Sequence, residues 1–194
     1  MASGDVSPFD RFARYYDMVM PGASRSVLQD GLDVAQRPIH RLVDVGGGTG
    51  RATVAVDVPQ RVVLDAAAGM LRRASGRGLD CVQGDASRLP LQTDSVDAIT
   101  IVDALHHMYD WDGVFREAAR VLRPGGVLVI REFDPTTLLG RGLVLGERLV
   151  GFDSQFADPA TLAQRLGRAG LLPEIVDDGF GYTVVGVVPK PDTQ

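Results

Sequence analysis

One short stretch, residues 41–51 (RLVDVGGGTGR), constrains the fold of this chain more than any other. Its first part, residues 42–45, is an apolar run that suits a buried strand, and Asp44 interrupts that run just before a cluster of glycines. Without a Cβ, a glycine lets the backbone turn sharply and approach a ligand closely. Three glycines fall at every second position: Gly46, Gly48 and Gly50. The stretch predicts a strand, a glycine turn and a helix start, whose free N–H groups can meet a polar ligand. A tight turn without a ligand is the simpler alternative.

The spacing of these glycines differs from that of a dinucleotide-binding loop. Such a loop has the pattern Gly-x-Gly-x-x-Gly, so its third glycine would stand at position 51 or at position 53. Those positions hold Arg51 and Thr53. An NAD(P)-dependent oxidoreductase is therefore an alternative that the spacing disfavours.

Length, cysteine content and charge exclude several classes of protein. A chain of 194 residues can form one domain with a proper core, and no apolar run approaches the ~18 residues that span a membrane. Cys81 is the only cysteine, which excludes an intramolecular disulfide and a cysteine-cluster metal site, and no other metal site is predicted. The first residues lack the pattern of a signal peptide, so a cytoplasmic location is expected. The net charge of −5 makes a nucleic acid an unexpected partner, and the oligomeric state stays open.

Two acidic residues follow the next two predicted strands. Residues 61–65 read as a second strand that ends at Asp65, where a carboxylate can accept hydrogen bonds from both hydroxyls of a ribose. Residues 81–83 read as a short third strand, and Asp85 follows within a Gly-Asp-Ala sequence. Either carboxylate could instead cap the helix or turn that comes after it.

The fourth predicted strand ends beside a pair of histidines. Residues 95–103 are rich in β-branched side chains and end at Asp103, and His106 and His107 come next. Residues 111–122 carry apolar side chains at a spacing of 3.6, which predicts an amphipathic helix. The paired histidines are therefore expected in the connection between this strand and this helix.

The rest of the chain continues the alternation and ends in a hairpin. An Arg-Pro-Gly-Gly sequence at residues 123–126 breaks the helix, and residues 127–133 predict a fifth strand. Helices are expected at residues 138–150 and 159–168. Residues 175–188 read as two strands joined around a Gly-Phe-Gly turn, which predicts a terminal antiparallel pair.

Taken together, these motifs resemble the class I S-adenosylmethionine (SAM) dependent methyltransferases of small-molecule type, namely methyltransferase type 11 and the quinone-biosynthesis enzymes. The Asp-x-Gly-x-Gly-x-Gly pattern that begins at Asp44 resembles their motif I, and RVLRPGG at residues 120–126 is very specific to this superfamily. The opening at residues 9–17 resembles the quinone-type enzymes, but these do not usually carry the pair His106 and His107. A quinone precursor is thus one candidate acceptor among others.

The resemblance implies a single α/β domain over residues 1–194. Its fold would be a Rossmann-like doubly wound sheet with helices on both faces, mostly parallel, with an antiparallel last strand and the strand order 3-2-1-4-5-7-6. Residues 1–40 would form a helical lid segment, and residues 134–157 would form an insertion that builds the acceptor pocket.

The resemblance also implies the residues that bind SAM. The glycine loop would pass under the methionine part, with Asp44 holding the loop or the cofactor's amino group. Tyr16 would close over the methionyl group, although its segment could equally be a helix that only covers the sheet edge. Asp65 would bind the ribose and Asp85 the adenine amino group. The full expected set is Tyr16, Asp44, Gly46, Gly48, Gly50, Asp65, Ala66, Met70, Asp85, Ala86 and Asp103.

The implied chemistry needs little from the protein beyond alignment. SAM carries a reactive methyl group and leaves as S-adenosylhomocysteine, so no invariant catalytic residue is required. His106 is the candidate general base, because a histidine can accept a proton near neutral pH. In the alternative interpretation, His106 or His107 only packs and hydrogen-bonds the loop to the helix at Trp111. A SAM-binding protein without catalysis is the other open alternative.

Overall fold

A computed structural model describes residues 25–150 and 154–191 of the chain. The predictions for residues 1–24, including the contact between Tyr16 and the methionyl group, lie outside the described residues. Within the described ranges, no helix combines the length and the apolar character needed to cross a bilayer.

Helices separate most of the consecutive strands along the chain. The strands are β1 (Arg41–Val45), β2 (Gln60–Asp65), β3 (Asp80–Gln83), β4 (Val96–Val102), β5 (Leu122–Phe133), β6 (Leu172–Asp177) and β7 (Gly181–Val187). The helices are α1 (Arg25–Leu32), α2 (Arg51–Ala55), α3 (Ala68–Ser75), α4 (Trp111–Val121), α5 (Leu138–Val150) and α6 (Pro159–Arg168), with a 3₁₀ turn at Leu105–His107.

The strands form one seven-stranded sheet in the order β3-β2-β1-β4-β5-β7-β6. Neighbours among β1 to β5 pair in parallel, whereas β7 runs antiparallel to both β5 and β6. The predicted fold class and strand order are confirmed. Because β1 to β5 are parallel, their carboxyl ends meet along one edge of the sheet, which is where open α/β sheets bind ligands.

Helices cover both faces of the sheet because the side chains of its central strands alternate between two apolar clusters. On β5, Leu128 and Ile130 belong to a cluster that also contains Phe115 of α4. Val129 points to the opposite face, where α1 contributes Leu28. Both faces of the central strands are therefore buried, as their near-continuous apolar sequences require.

The start of β5 differs from the prediction. The helix was expected to reach Leu122, with the strand beginning at Val127, but α4 ends at Val121 and β5 begins at Leu122. Leu122 pairs with Val96 of β4, and the register then shifts before Val127 resumes pairing. The Arg-Pro-Gly-Gly sequence is therefore a bulge inside the strand, because Gly125 takes a left-handed conformation with φ of 78°.

Candidate functional site

The glycine loop after β1 is folded by backbone hydrogen bonds at the carboxyl edge. The N–H groups of Gly46 and Gly47 both donate to the carbonyl of Leu64 on β2, at 2.7 and 3.3 Å. Three of its residues lie in the left-handed region with φ of 70°, 56° and 79°: Gly46, Gly48 and Gly50. Residues other than glycine rarely adopt this backbone conformation, so the loop needs glycine at these three positions.

The three glycines face different surroundings. A Cβ on Gly46 would lie 2.9 Å from both Ala104 Cβ and Met108 Cε, and a Cβ on Gly50 would overlap the side chain of Leu79. A Cβ on Gly48 would meet no atom of the described residues within 4 Å. Gly46 and Gly50 are therefore required by packing, whereas the backbone at Gly48 borders open space that a ligand can enter.

Asp44 is fully buried beneath this loop. Its carboxylate accepts hydrogen bonds from Thr53 Oγ1 of α2 at 2.5 Å and from Thr100 Oγ1 of β4 at 2.7 Å. Burial raises the pKa of Asp44 to about 6, and the two threonine hydroxyls oppose that rise. Of the two predicted roles, holding the loop fits this geometry, because the carboxylate joins β1 to α2 and β4.

Asp65 lies at the end of β2 and contacts the glycine loop. Its Oδ2 accepts from the Gly48 N–H at 2.9 Å and its Oδ1 accepts from the Ala67 N–H at 2.8 Å. The carboxylate thus borders the opening at Gly48 and also orders the start of α3. Ala66 is exposed at the same corner, whereas Met70 is buried in α3 with 2% of its surface accessible.

Asp85 is exposed in the turn that follows β3. Its Oδ1 accepts from both the N–H and the hydroxyl of Ser87, each at 2.8 Å, which is the turn-capping arrangement considered as an alternative. The neighbouring Ala86 is half-buried against the core. Nearby, Gln83 Nε2 donates to the carbonyl of Ala66 at 2.9 Å and joins this corner to that of Asp65.

Asp103 follows β4 at the centre of the edge and has an unusual backbone. Its φ of 49° is uncommon for a residue other than glycine, and its N–H donates to the carbonyl of Arg131 at 2.9 Å. Burial, followed by repulsion from the Glu132 carboxylate, raises the pKa of Asp103 to about 7. This carboxyl group therefore exchanges its proton near neutral pH.

Glu132, at the end of β5, is a site residue that the sequence analysis missed. Its Oε1 accepts from three consecutive N–H groups of the turn after β4, at 3.1, 2.7 and 3.3 Å: Ala104, Leu105 and His106. Its Oε2 lies 2.7 Å from His106 Nδ1, and Glu132 is 3% exposed. An acidic residue inside the apolar run of residues 127–133 is the sequence signal that could have found it.

His106 is buried against two other rings, those of His107 and Phe156. Its own ring is 3% exposed and stacks on Phe156 with centroids 5.0 Å apart, and the ring of His107 lies 4.0 Å away. Burial, followed by repulsion from His106 when that ring is protonated, lowers the pKa of His107 to about 3, so His107 is neutral near pH 7. The turn is also joined to α4 by Trp111, whose Nε1 donates to the carbonyl of Leu105 at 2.9 Å.

The end of the predicted acceptor-pocket insertion, residues 134–157, lies against the histidine turn. The Gln155 N–H donates to the carbonyl of His106 at 2.8 Å, and Ser154 Oγ lies 3.3 Å from His107 Nδ1. Tyr182 of β7 then donates from its hydroxyl to the carbonyl of Ala157 at 2.8 Å. These contacts bring a segment distant in sequence to the carboxyl ends of β4 and β5.

Among the described residues, the site therefore has two parts. The first is the glycine loop with Asp65 and Asp85, at the ends of β1, β2 and β3. The second is the turn that carries His106, with Glu132 and residues 154–157. Within the part of the chain that the structure describes, no group of His, Cys, Asp and Glu side chains is placed to hold a metal ion.

Comparison with known proteins finds methyltransferases both among family models and among individual relatives. The model of a family described as a methyltransferase domain matches residues 43–130. A demethylmenaquinone methyltransferase of Mycobacterium marinum is 33% identical over 85% of this chain and 84% of the relative. That of Mycolicibacterium paratuberculosis is 36% identical over 66% of this chain and 59% of the relative, so this chain spans less than two thirds of that protein's length.

A solved structure gives the same result at the level of the fold. The SAM-dependent methyltransferase of Thermotoga maritima superposes with a TM-score of 0.76, covering 92% of this chain and 97% of that chain. The two sequences are 23% identical, so this likeness shows a common fold alone.

Proposed function

This chain belongs to the family of SAM-dependent methyltransferases, as its motifs predicted, and we propose that it transfers the methyl group of SAM to a small-molecule acceptor. S-adenosylhomocysteine is then the second product. Membership in this family removes the support for the NAD(P)-dependent oxidoreductase alternative.

The observation that carries the proposal is the open space at Gly48, bordered by the Asp65 carboxylate. The residues present fit SAM, because a glycine in the left-handed conformation leaves room for a ligand against the backbone, and carboxylates stand at two successive strand ends. In the proposal, the loop holds the methionine part, Asp65 the ribose and Asp85 the adenine amino group. When bound, SAM supplies a methyl group that is already activated by its sulfonium.

The chain's own contribution to the reaction is mainly alignment of the acceptor. Holding two reactants in a productive geometry can supply roughly 7–11 kcal/mol of the barrier. In the proposal, residues 134–157 form the acceptor pocket, since residues 154–157 pack on the turn that carries His106. His106 takes the proton that an acceptor hydroxyl, amine or carbon acid loses.

A quinone precursor is one candidate acceptor. The two mycobacterial relatives are demethylmenaquinone methyltransferases, and this supports the candidate by analogy. An aromatic side chain in the second part of the site is compatible with a flat acceptor, since Phe156 stacks on His106. A small molecule is preferred to a nucleic acid because the chain carries a net charge of −5. A cytoplasmic location is part of the proposal, and the single cysteine is consistent with it.

The first experiment measures thermal unfolding with SAM, S-adenosylhomocysteine or NADH. At a hundredfold excess over the dissociation constant, a ligand stabilises the folded state by about 2.7 kcal/mol, which raises Tm by a few degrees. We expect this shift with SAM and S-adenosylhomocysteine. A shift with NADH and none with either SAM compound would contradict the proposal. Turnover against a panel of small acceptors then separates an enzyme from a protein that binds SAM without catalysis.

A further inference from the structure

A short, buried polar contact at the site joins Glu132 to His106. We propose that Glu132 is a positioning residue, which holds the proton of His106 on Nδ1 and so makes Nε2 the nitrogen that accepts the acceptor's proton. This inference rests on the proposed function, because it assigns the proton transfer that accompanies methylation.

The geometry separates the two oxygens of Glu132. Oε1 accepts from the N–H groups of residues 104–106 and thereby fixes the carboxylate against the turn. Oε2 is left facing His106 Nδ1 at 2.7 Å. In the proposal this carboxyl group is the acceptor toward the ring, as it is toward the three N–H groups of the turn, so the hydrogen of the short contact lies on Nδ1. A neutral imidazole with its proton on Nδ1 has its lone pair on Nε2.

The surroundings hold the ring in one orientation. Phe156 stacks on His106 with 12° between the ring planes, and the Gln155 N–H bonds to the carbonyl of the same histidine. Both partners are about 3% exposed, so water does not compete strongly for the contact. His107, whose pKa is lowered to about 3 by burial, stays neutral and does not take the proton in place of His106.

Methyl transfer forms one bond, breaks another and displaces one proton from the acceptor. As the acceptor atom forms its bond to the methyl carbon, the bond between that carbon and sulfur breaks, and sulfur keeps the electron pair. The proton of the acceptor atom moves to Nε2 of His106. The resulting imidazolium faces the Glu132 carboxylate through Nδ1–H, which stabilises its positive charge. The proton later returns to water.

A purely structural role for Glu132 is the competing explanation, and the variant Glu132→Gln separates the two. The amide oxygen of glutamine can still accept from the turn's N–H groups, so the turn keeps its anchor. Its NH₂ group, however, would face His106 Nδ1 and donate to it. The proton of the ring would then move to Nε2, and the ring would lose its proton-accepting nitrogen on the other side.

The decisive measurement is the tautomer of His106 from nitrogen-15 chemical shifts of the imidazoles, recorded at neutral pH without SAM. The chain has 3 histidines, so His40→Gln and His107→Gln suffice to assign the signals. We expect the Nδ1–H tautomer in the wild-type protein and the Nε2–H tautomer in Glu132→Gln. An Nε2–H tautomer in the wild type overturns the inference without any variant, and so does an unchanged tautomer in Glu132→Gln.

Kinetics with an acceptor supply the second readout. In Glu132→Gln we expect kcat to fall by about 10²–10⁴-fold with affinity for S-adenosylhomocysteine nearly unchanged. Glu174→Gln, at an exposed position of β6, is the matched control and should behave as the wild type. A tautomer change with unchanged kcat would overturn the proton-transfer role. If the wild type fails to bind S-adenosylhomocysteine, the proposed function fails, whereas the tautomer still reports on Glu132 alone.

Discussion

The two parts of the site are built in different ways, although both lie on the same edge of the sheet. In the first part, the glycine loop follows β1, Asp65 ends β2, and the hydrogen bonds that join them lie within one strand–helix–strand unit. In the second part, the turn after β4 is held by Glu132 from β5 and by residues 154–157, which come from after α5. The first part is contained in consecutive strand–helix–strand units that sequence motifs can encode, whereas the second is formed only when segments from separate units of the fold meet.

The two parts of the site also differ in how far their polar groups are exposed to solvent. The backbone at Gly48 borders open space and Asp85 is exposed, whereas His106 and Glu132 are each 3% exposed. A buried polar group needs its partner, because loss of that partner leaves it unsatisfied. We therefore expect changes in the first part to act on cofactor binding, and changes in the second part to act on turnover and stability.

The largest expected effect is loss of cofactor binding in Gly48→Val, since the new side chain fills the space where the ligand would lie. A left-handed conformation costs a residue other than glycine about 1–2 kcal/mol of stability in any context. Gly78→Val is the matched control, because Gly78 has a φ of 79°, lies outside the site, and a Cβ on it would meet none of the residues that the structure describes within 4 Å. Calorimetry with S-adenosylhomocysteine should detect binding only to Gly78→Val. Equal binding by both variants would show that the first part of the site does not bind the cofactor.

The next effect tests the second part through His106→Ala. If His106 accepts the proton, turnover should fall by about 10²–10⁴-fold while affinity for SAM stays nearly the same. His40→Ala is the control, since the side chain of His40 is exposed and distant from the turn. A small loss that appears mainly in the KM of the acceptor would instead show that the ring only shapes the pocket.

A smaller effect is expected for Asp65→Ala. The lost ribose hydrogen bonds should cost about 1–3 kcal/mol of SAM affinity, and the Gly48 and Ala67 N–H groups also lose their acceptor. Asp85→Ala should cost less, because the adenine amino group can bond to water instead. Asp57→Ala, at an exposed position before β2, provides the baseline for removal of a surface charge. Wild-type affinity in Asp65→Ala would contradict the assignment of this strand end to the ribose.

The smallest effect concerns pH and Asp103, which lies between the two parts. Its folded pKa of about 7 lies above the ordinary value of 3.8, so the folded state binds the proton more tightly than the unfolded state. The protonated Asp103 side chain therefore adds to the free energy of unfolding. This stabilisation is fully present below about pH 4 and is lost as pH rises to about 7. Asp103→Asn cannot ionise, so its stability relative to the wild type should increase by about 1–3 kcal/mol between about pH 5 and pH 8.

Urea unfolding of both proteins at the two pH values measures this difference. Glu132, His106, Arg131 and Arg51 also act on the Asp103 carboxyl group, and they remain in the variant. The difference between the two proteins therefore isolates the ionisation of Asp103 itself. A difference that stays constant with pH would show that this carboxylate is not held in a buried, protonatable state.

The sequence by itself determined the strands and the glycine loop, because periodicity and backbone conformation are local properties that the residue types encode, while the resemblance to the family implied the strand order. Residues 42–50 carry both an apolar strand and the glycines that its turn needs, and RVLRPGG carried the resemblance that implied the order of the sheet. Even there, the bulge at Gly125 was missed, because proline and glycine break a helix and bend a strand alike.

Only the tertiary structure decided how the second part is held together. His106 and Glu132 are 26 positions apart, and Gln155 lies farther along the chain, so no periodic pattern joins them. The tertiary structure also gave the three glycines different roles. Gly46 packs against Ala104 and Gly50 packs against Leu79, whereas Gly48 has no such neighbour among the described residues. The physical reason is that burial and side-chain pairing depend on which distant residues the fold brings together, and a local pattern does not contain that information.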